Sequence, residues 1–319
     1  MTWSSSNRSL LALGTALALT GTVSGSSGRA QPPARHPLQL ELPLACDMAR
    51  DCSIQKYVDR APGPERRDYR CGALTTDGHD GTDLRLRRFA DFDRTVKVLA
   101  AAAGTVLRVR DGMADISVKD PAAPALGDRL AGNAVVIAHG DGWETQYSHL
   151  KNGSVSVRPG DKIAAGAPLG AIGLSGNTEY PHLHFELRKD GKAVDPFAAA
   201  SAAGCGGHEP DLWSAAAARA LAYRTTVVLE AGFADSVDRA SPSLANAKSQ
   251  EVMANPSILI LWGSASGVQS GDVQKFRIIA PNGGVILARE SEITRNSLLW
   301  VSYAGIRRPV GGWQSGKYS

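Results

Sequence analysis

Five side chains of this 319-residue sequence are of types that could share one metal ion: His79, Asp83, His149, His182 and His184. Imidazole nitrogen with carboxylate oxygen suits Zn²⁺ better than Ca²⁺ or Mg²⁺, which prefer all-oxygen shells. Three protein ligands plus an open position for water is the layout of a catalytic zinc site. Five candidates would leave two imidazoles for proton transfer or charge stabilisation. His182 and His184 flank Leu183, and Leu183, Phe185 and Leu187 alternate with His182, His184 and Glu186. That is the period of a half-buried β-strand. Both imidazoles then leave one face, roughly 6.5–7 Å apart along the chain. Taken alone, the same pattern describes a polar face turned to water.

His79 and Asp83 stand four apart in Asp77-Gly78-His79-Asp80-Gly81-Thr82-Asp83, where two glycines argue against a helix. The stretch reads either as an N,O ligand pair opening a strand over 82–87 or as a polar turn. His149 closes another strand in Gln146-Tyr147-Ser148-His149-Leu150. Of the seven histidines, His36 and His208 fall in connecting segments and read as incidental, and His139, before Gly140-Asp141-Gly142, reads as structural.

The elements that must hold these groups are short and β-like. Gly-punctuated strand candidates run over 96–101, 105–110, 134–139, 145–149 and 154–157, with a loop at 120–127 and a turn-rich series over 158–176. Many short strands and few helical stretches predict an all-β, compact, mostly antiparallel domain, bounded here as 72–200. A linker over 201–224 carries one short helix near 215–222. Strands then recur at 226–230, 258–262, 273–280, 284–288 and 298–303, a pattern fitting a small C-terminal β-sandwich-like module over 225–319. That module has no His and no Cys, and reads as a binding or packing unit.

The N-terminus bounds the compartment. Arg8 precedes an apolar run over 10–23 and small residues around Gly28-Arg29-Ala30, the pattern of a cleaved export signal over 1–30. The run is shorter than the ~20 residues of a membrane span, and no other stretch is long and apolar enough, so no span is expected after signal removal. Residues 31–71 read as a Pro-rich tether and a disulfide-held lead-in. Four cysteines, Cys46, Cys52, Cys71 and Cys205, suit two disulfides in an exported protein, with three possible connectivities. Cys46 and Cys52 are close enough for a small loop, which would leave Cys71 with Cys205. A cysteine zinc site competes weakly, there being no Cys-x-x-Cys pair. A formal net charge of +4 with scattered Lys and Arg does not indicate nucleic acid, but suits an anionic polymer such as a bacterial wall.

In order, Gly78-His79-x-Gly81-x-Asp83, Tyr147-x-His149-Leu150 and Gly176-Asn177-x(4)-His182-Leu183-His184-Phe185-Glu186 resemble the lysostaphin-type (LytM-like) zinc endopeptidases that cut peptidoglycan peptides. The resemblance covers roughly 72–197, and the three motifs together are specific where none is alone. It implies a β fold known as a duplicated hybrid motif, one Zn²⁺ per chain bound by His79, Asp83 and His184, and catalytic roles for His149 and His182. It implies peptidoglycan peptide cross-links as substrate, in the periplasm or outside the cell. Asn177 and Glu186 have family-like neighbours without an assigned role. Some members use a tyrosine shortly before the first His; residues 72–78 have none, leaving Tyr69 or Tyr180 as substitutes. Two other readings stay open: a catalytically silent wall-binding or amidase-regulating protein that keeps a zinc site, and a zinc peptidase acting on other proteins.

Overall fold

In the computed structural model, which describes residues 38–199, 204–206, 211–241, 252 and 255–319, the alternation along the His-x-His strand sets the architecture. The expected export signal over 1–30, His36 and His208 lie outside the described residues. The strands are β1 Cys52–Lys56, β2 Thr82–Leu86, β3 Lys97–Leu99, β4 Gly104–Arg110, β5 Asn133–Gly140, β6 Trp143–Leu150, β7 Lys162–Ile163, β8 Pro168–Ala171, β9 His182–Lys189 and β10 Lys192–Val194. Seven of them form one antiparallel path in the order β1-β2-β9-β6-β5-β4-β7, with β10 paired to β9, while β3 and β8 make a separate two-stranded piece. Leu183, Phe185 and Leu187 of β9 are buried with Leu84, Val135, Ile137 and Tyr147 in one core. Each such side chain contributes about 1.5–3 kcal/mol by leaving water. That burial fixes the register, because a one-residue slip would turn the leucines out and the histidines in.

Residues 38–44, the described part of the expected Pro-rich tether, are packed against the domain and do not form a free tether. Leu40 and Leu44 are buried in the core, and β1 pairs with β2 as an outer strand. The strand expected over 154–157 is not formed. Asp111 accepts the Gly153 and Val155 amides at 2.9 and 3.2 Å, so a side chain takes the hydrogen bonds a neighbouring strand would need. The only helical pieces among the described residues are a 3₁₀ turn, Phe89–Arg94, and α1, Ala215–Ala220. Ser214 caps α1 by accepting from the Ala217 amide at 3.2 Å, and Leu212, Trp213, Ala217 and Leu221 join the main core.

The region expected to form a C-terminal module holds β11 Val227–Ala234, β12 Ile258–Ser266, β13 Val273–Ile279, β14 Val285–Glu292 and β15 Trp300–Arg307. A three-stranded sheet, β11-β12-β15, and the β13-β14 pair share a cluster of Leu259, Ile278 and Leu287. No helix among the described residues is long and apolar enough to cross a membrane.

Both disulfides form as the spacing suggested, Cys46–Cys52 and Cys71–Cys205. Their sequence separations are 6 and 134. In the chain-entropy account the long loop is worth about 5 kcal/mol and the short one about 2 kcal/mol. The double replacement Cys71→Ser with Cys205→Ser is therefore expected to lower unfolding free energy more than Cys46→Ser with Cys52→Ser, by about 3 kcal/mol in denaturant melts. Equal losses would contradict the entropic assignment.

Candidate metal centre

Register brings the chemistry into a row. Lys56 of β1 pairs with Asp83 of β2, Asp83 with His184 of β9, and His184 with Ser148 of β6. Arg85 of β2 is opposite His182. His149, the residue after Ser148, has a left-handed backbone at φ 60°. Lys56, Asp83, Ser148, His149, His182 and His184, but not Arg85, line a cleft of about 720 Å³ together with His79, Tyr180, Asn177 and Glu186.

Ring orientation is set by backbone carbonyls. Nδ1–H of His79 donates to Tyr57 O at 2.8 Å, that of His149 to Ser175 O at 2.7 Å, and that of His182 to Tyr180 O at 2.9 Å. A carbonyl only accepts, so in the neutral ring each Nδ1 carries the proton and each Nε2 presents a lone pair. The His79 and His182 Nε2 atoms reach Asp83 Oδ1 at 3.2 and 3.4 Å, and His184 Nδ1 reaches the same oxygen at 2.9 Å. In the neutral tautomers, the His79 and His182 contacts set acceptor against acceptor, an arrangement relieved either by protons on the rings or by a metal ion bound among them. Tetrahedral zinc with ~2.05 Å bonds separates its ligand atoms by roughly 3.4 Å. His79, Asp83 and His184 are thus a donor set that fits one zinc ion, their candidate ligand atoms all lying within 4.8 Å of one another.

Asp83 uses its two oxygens differently. Oδ1 faces the imidazoles, while Oδ2 meets Lys56 Nζ at 2.9 Å and accepts from the Tyr180 hydroxyl at 3.4 Å. Burial opposes the Asp83 charge, but His182 and His79 beside it hold the carboxyl well below the usual range. Burial likewise opposes charge on His184, yet Asp80 and Asp83 push it up to about 9. Burial, then His182 and His184, hold His149 well below an ordinary imidazole. Burial and Asp83 push the Tyr180 phenol up, so it stays a donor.

A second cluster, Asp80, His184 and Glu186, is less suited to a metal. Glu186 is already gripped by Arg188 at 2.6 and 2.5 Å, and Asp80 is exposed. Asp80 instead meets His184 Nε2 at 3.3 Å and orients that ring. His139 is outside the centre, bridging Ala103 O and Thr145 Oγ1 at 2.8 Å each. Of the two candidate tyrosines, Tyr180 lines the cleft, whereas Tyr69 stacks on Phe197 at 5.1 Å in an aromatic cluster and does not line it.

Sequence reading missed several contributors. Lys56 and Gln55 carry no motif and reach the cleft only because β1 pairs with β2. Gly81 is buried, and a Cβ there would stand 2.6 Å from His184 Nε2 and 2.7 Å from Phe185 O. Gly81→Ala is accordingly expected to displace the His184 ring and, if the site hydrolyses a substrate, to slow it about 10²-fold, the cost of misplacing a reacting group by ~1 Å. Wild-type turnover with an unshifted His184 NMR signal would disprove it.

A family profile described as Peptidase family M23 matches residues 77–196, the stretch that holds all five candidate side chains. These residues match the M23 peptidase family. The chain is 36% identical over 101 residues to the cell division protein DipM of Caulobacter vibrioides, a match covering 29% of this chain and 16% of that protein. It is 42% identical over 65 residues to the peptidoglycan DD-endopeptidase ShyA of Vibrio cholerae, covering 20% and 15%. It is 40% identical over 65 residues to the murein hydrolase activator EnvC of Escherichia coli, again 20% and 15%. The matched stretch thus spans about a sixth of the length of each of these relatives.

Proposed function

We propose that this protein is an exported, zinc-dependent endopeptidase that hydrolyses amide bonds in peptidoglycan peptides. The observation that carries the reading is the convergence of His79 Nε2 and His184 Nδ1 on Asp83 Oδ1, with His149 and His182 alongside: their ring centroids are 4.7 Å apart. Zn²⁺ held by His79, Asp83 and His184 would supply a Lewis acid that polarises the scissile carbonyl and lowers the pKa of water toward ~7. His149 and His182, each anchored by Nδ1–H on a carbonyl, present Nε2 to the cleft as proton acceptors. One takes the proton of the attacking water, and the other, once protonated, stabilises the oxyanion or returns a proton to the leaving amine. Tyr180 and Lys56 hold the second oxygen of Asp83, which keeps the first directed at the imidazoles. The disulfides support an oxidising compartment, periplasmic or extracellular.

The similarity to a murein hydrolase activator supports a second reading, a wall-bound regulator that keeps the metal site. The test is release of muropeptides from purified peptidoglycan by the protein alone, with and without a chelator. Chelator-sensitive release of cross-link fragments is expected. Stimulation of an added amidase with no release of its own would favour the regulator.

Metal affinity carries a pH signature. In the metal-free protein His184, pushed up to about 9 by Asp80 and Asp83 against burial, is protonated at pH 7. Binding at its Nδ1 must expel that proton, so the proton competes with the metal. Calorimetry in buffers of different ionisation enthalpy should show about one proton released per zinc at pH 7. Affinity should rise about tenfold per pH unit until about pH 9 and then level off. A pH-independent affinity over that range would remove His184 from the ligand set.

A further inference from the structure

The cleft is not closed by the M23 domain alone. Its wall includes Leu298 and Leu299 from the connection between β14 and β15, far outside residues 77–196. Leu298 packs against the main core, whereas Leu299 is 38% exposed. The connection is fixed in place: the Ser297 amide donates to Val268 O at 2.9 Å and its hydroxyl to Leu299 O at 2.6 Å. Gln55 of β1 ties it to the site, with Nε2 donating to Leu298 O at 3.4 Å and Oε1 accepting from Arg85 at 2.5 Å. The Arg85 guanidinium in turn lies 4.4 Å above the Tyr180 ring.

Strand order gives the cleft a direction. From the Leu298 side it crosses Lys56 on β1, Asp83 on β2, His184 and His182 on β9, and His149 on β6. Beyond His149 stands Leu130, half-exposed, its carbonyl accepting from the Asn177 amide at 2.8 Å. Three strand spacings from β1 to β6 amount to about 14 Å, the length of about four residues of extended peptide. Apolar side chains thus stand at both ends of a polar floor.

We propose that Leu298 and Leu299 of the C-terminal module form a specificity subsite that receives an apolar side chain of the substrate peptide on the β1 side of the scissile amide. The inference rests on the peptidase reading above and extends it: the module selects the substrate at the cleft instead of only anchoring the protein elsewhere. Leu299 is the residue to alter, since it is the more exposed and its loss leaves the core intact.

The test uses the full chain and cross-linked muropeptide dimers. KM and kcat are measured for wild type, Leu299→Ala and Leu299→Asp, with Val228→Ala, exposed on β11 outside the cleft, as control. Dissociation constants for the same dimers are measured on chelator-treated protein. Leu299→Ala is expected to raise KM and Kd about five- to tenfold with kcat within about twofold, and Leu299→Asp to raise them further. Val228→Ala should match wild type. Unchanged KM and Kd in both Leu299 variants would overturn the subsite. If wild type cleaves nothing, the peptidase reading fails by itself, and the Kd comparison still decides the subsite. A wild type that neither cleaves nor binds the dimers would overturn both.

Discussion

His184→Ala is expected to take zinc content from about one per chain to none and to lower muropeptide hydrolysis by at least ~10⁴-fold. His184 Nδ1 is 2.9 Å from Asp83 Oδ1, the shortest of the imidazole contacts to that oxygen. Its removal leaves His79 and Asp83, and a two-ligand site does not retain zinc at cellular concentrations. The ring is nearly enclosed but carries no core packing, so the variant should fold, which a thermal melt of chelator-treated protein would verify. Metal analysis and hydrolysis must fall together. A variant that loses turnover yet keeps stoichiometric zinc would transfer the ligand role to another imidazole, His182 being placed for it at 3.4 Å from the same oxygen.

His149→Ala should separate chemistry from metal binding. Zinc content is expected to be unchanged, while kcat falls about 10²–10⁴-fold, the usual contribution of a positioned proton-transfer group. The reason lies in its anchoring. The Ser175 carbonyl holds Nδ1–H at 2.7 Å, so Nε2 is committed to the cleft, and the left-handed backbone keeps the ring from following the strand. Burial and the neighbouring His182 and His184 disfavour its protonation, so the acceptor form prevails near neutral pH. His149→Gln restores a polar side chain without a proton-accepting nitrogen. It should remain as slow as the alanine variant, and recovery by glutamine would mean that His149 only fills space or orients its neighbours.

Much of the M23 domain was legible because its chemistry lies on strands whose other face is core. Leu183, Phe185 and Leu187 declared the face on which His182 and His184 stand, and the glycines around His79 ruled out a helix. The two disulfides followed from spacing. What was not legible depends on pairing between distant segments. Lys56 and Gln55 look unremarkable until β1 joins β2, and the Cys46–Cys52 lead-in gave no periodic signal to announce a strand. Asp80 was passed over because sequence alone does not reveal that the His184 ring turns its Nε2 toward it. The absent strand at 154–157 failed for a related reason, since a carboxylate from Asp111 displaced the ladder. Leu298 and Leu299 could not be foreseen at all, because nothing local marks the loop before β15 as a wall of the distant cleft.

The row Lys56–Asp83–His184–Ser148 also has a temporal meaning. The Asp83–His184 contact closes 101 residues of chain, and the Gln55–Leu298 contact closes 243. Such high contact order makes assembly slow, with most of the loop-closure entropy spent before any of these contacts forms. A polypeptide not yet folded holds every reactive side chain and none of the site. Whatever hydrolytic power the cleft has is therefore withheld until β9 has paired with both β2 and β6, a form of latency written into the strand order.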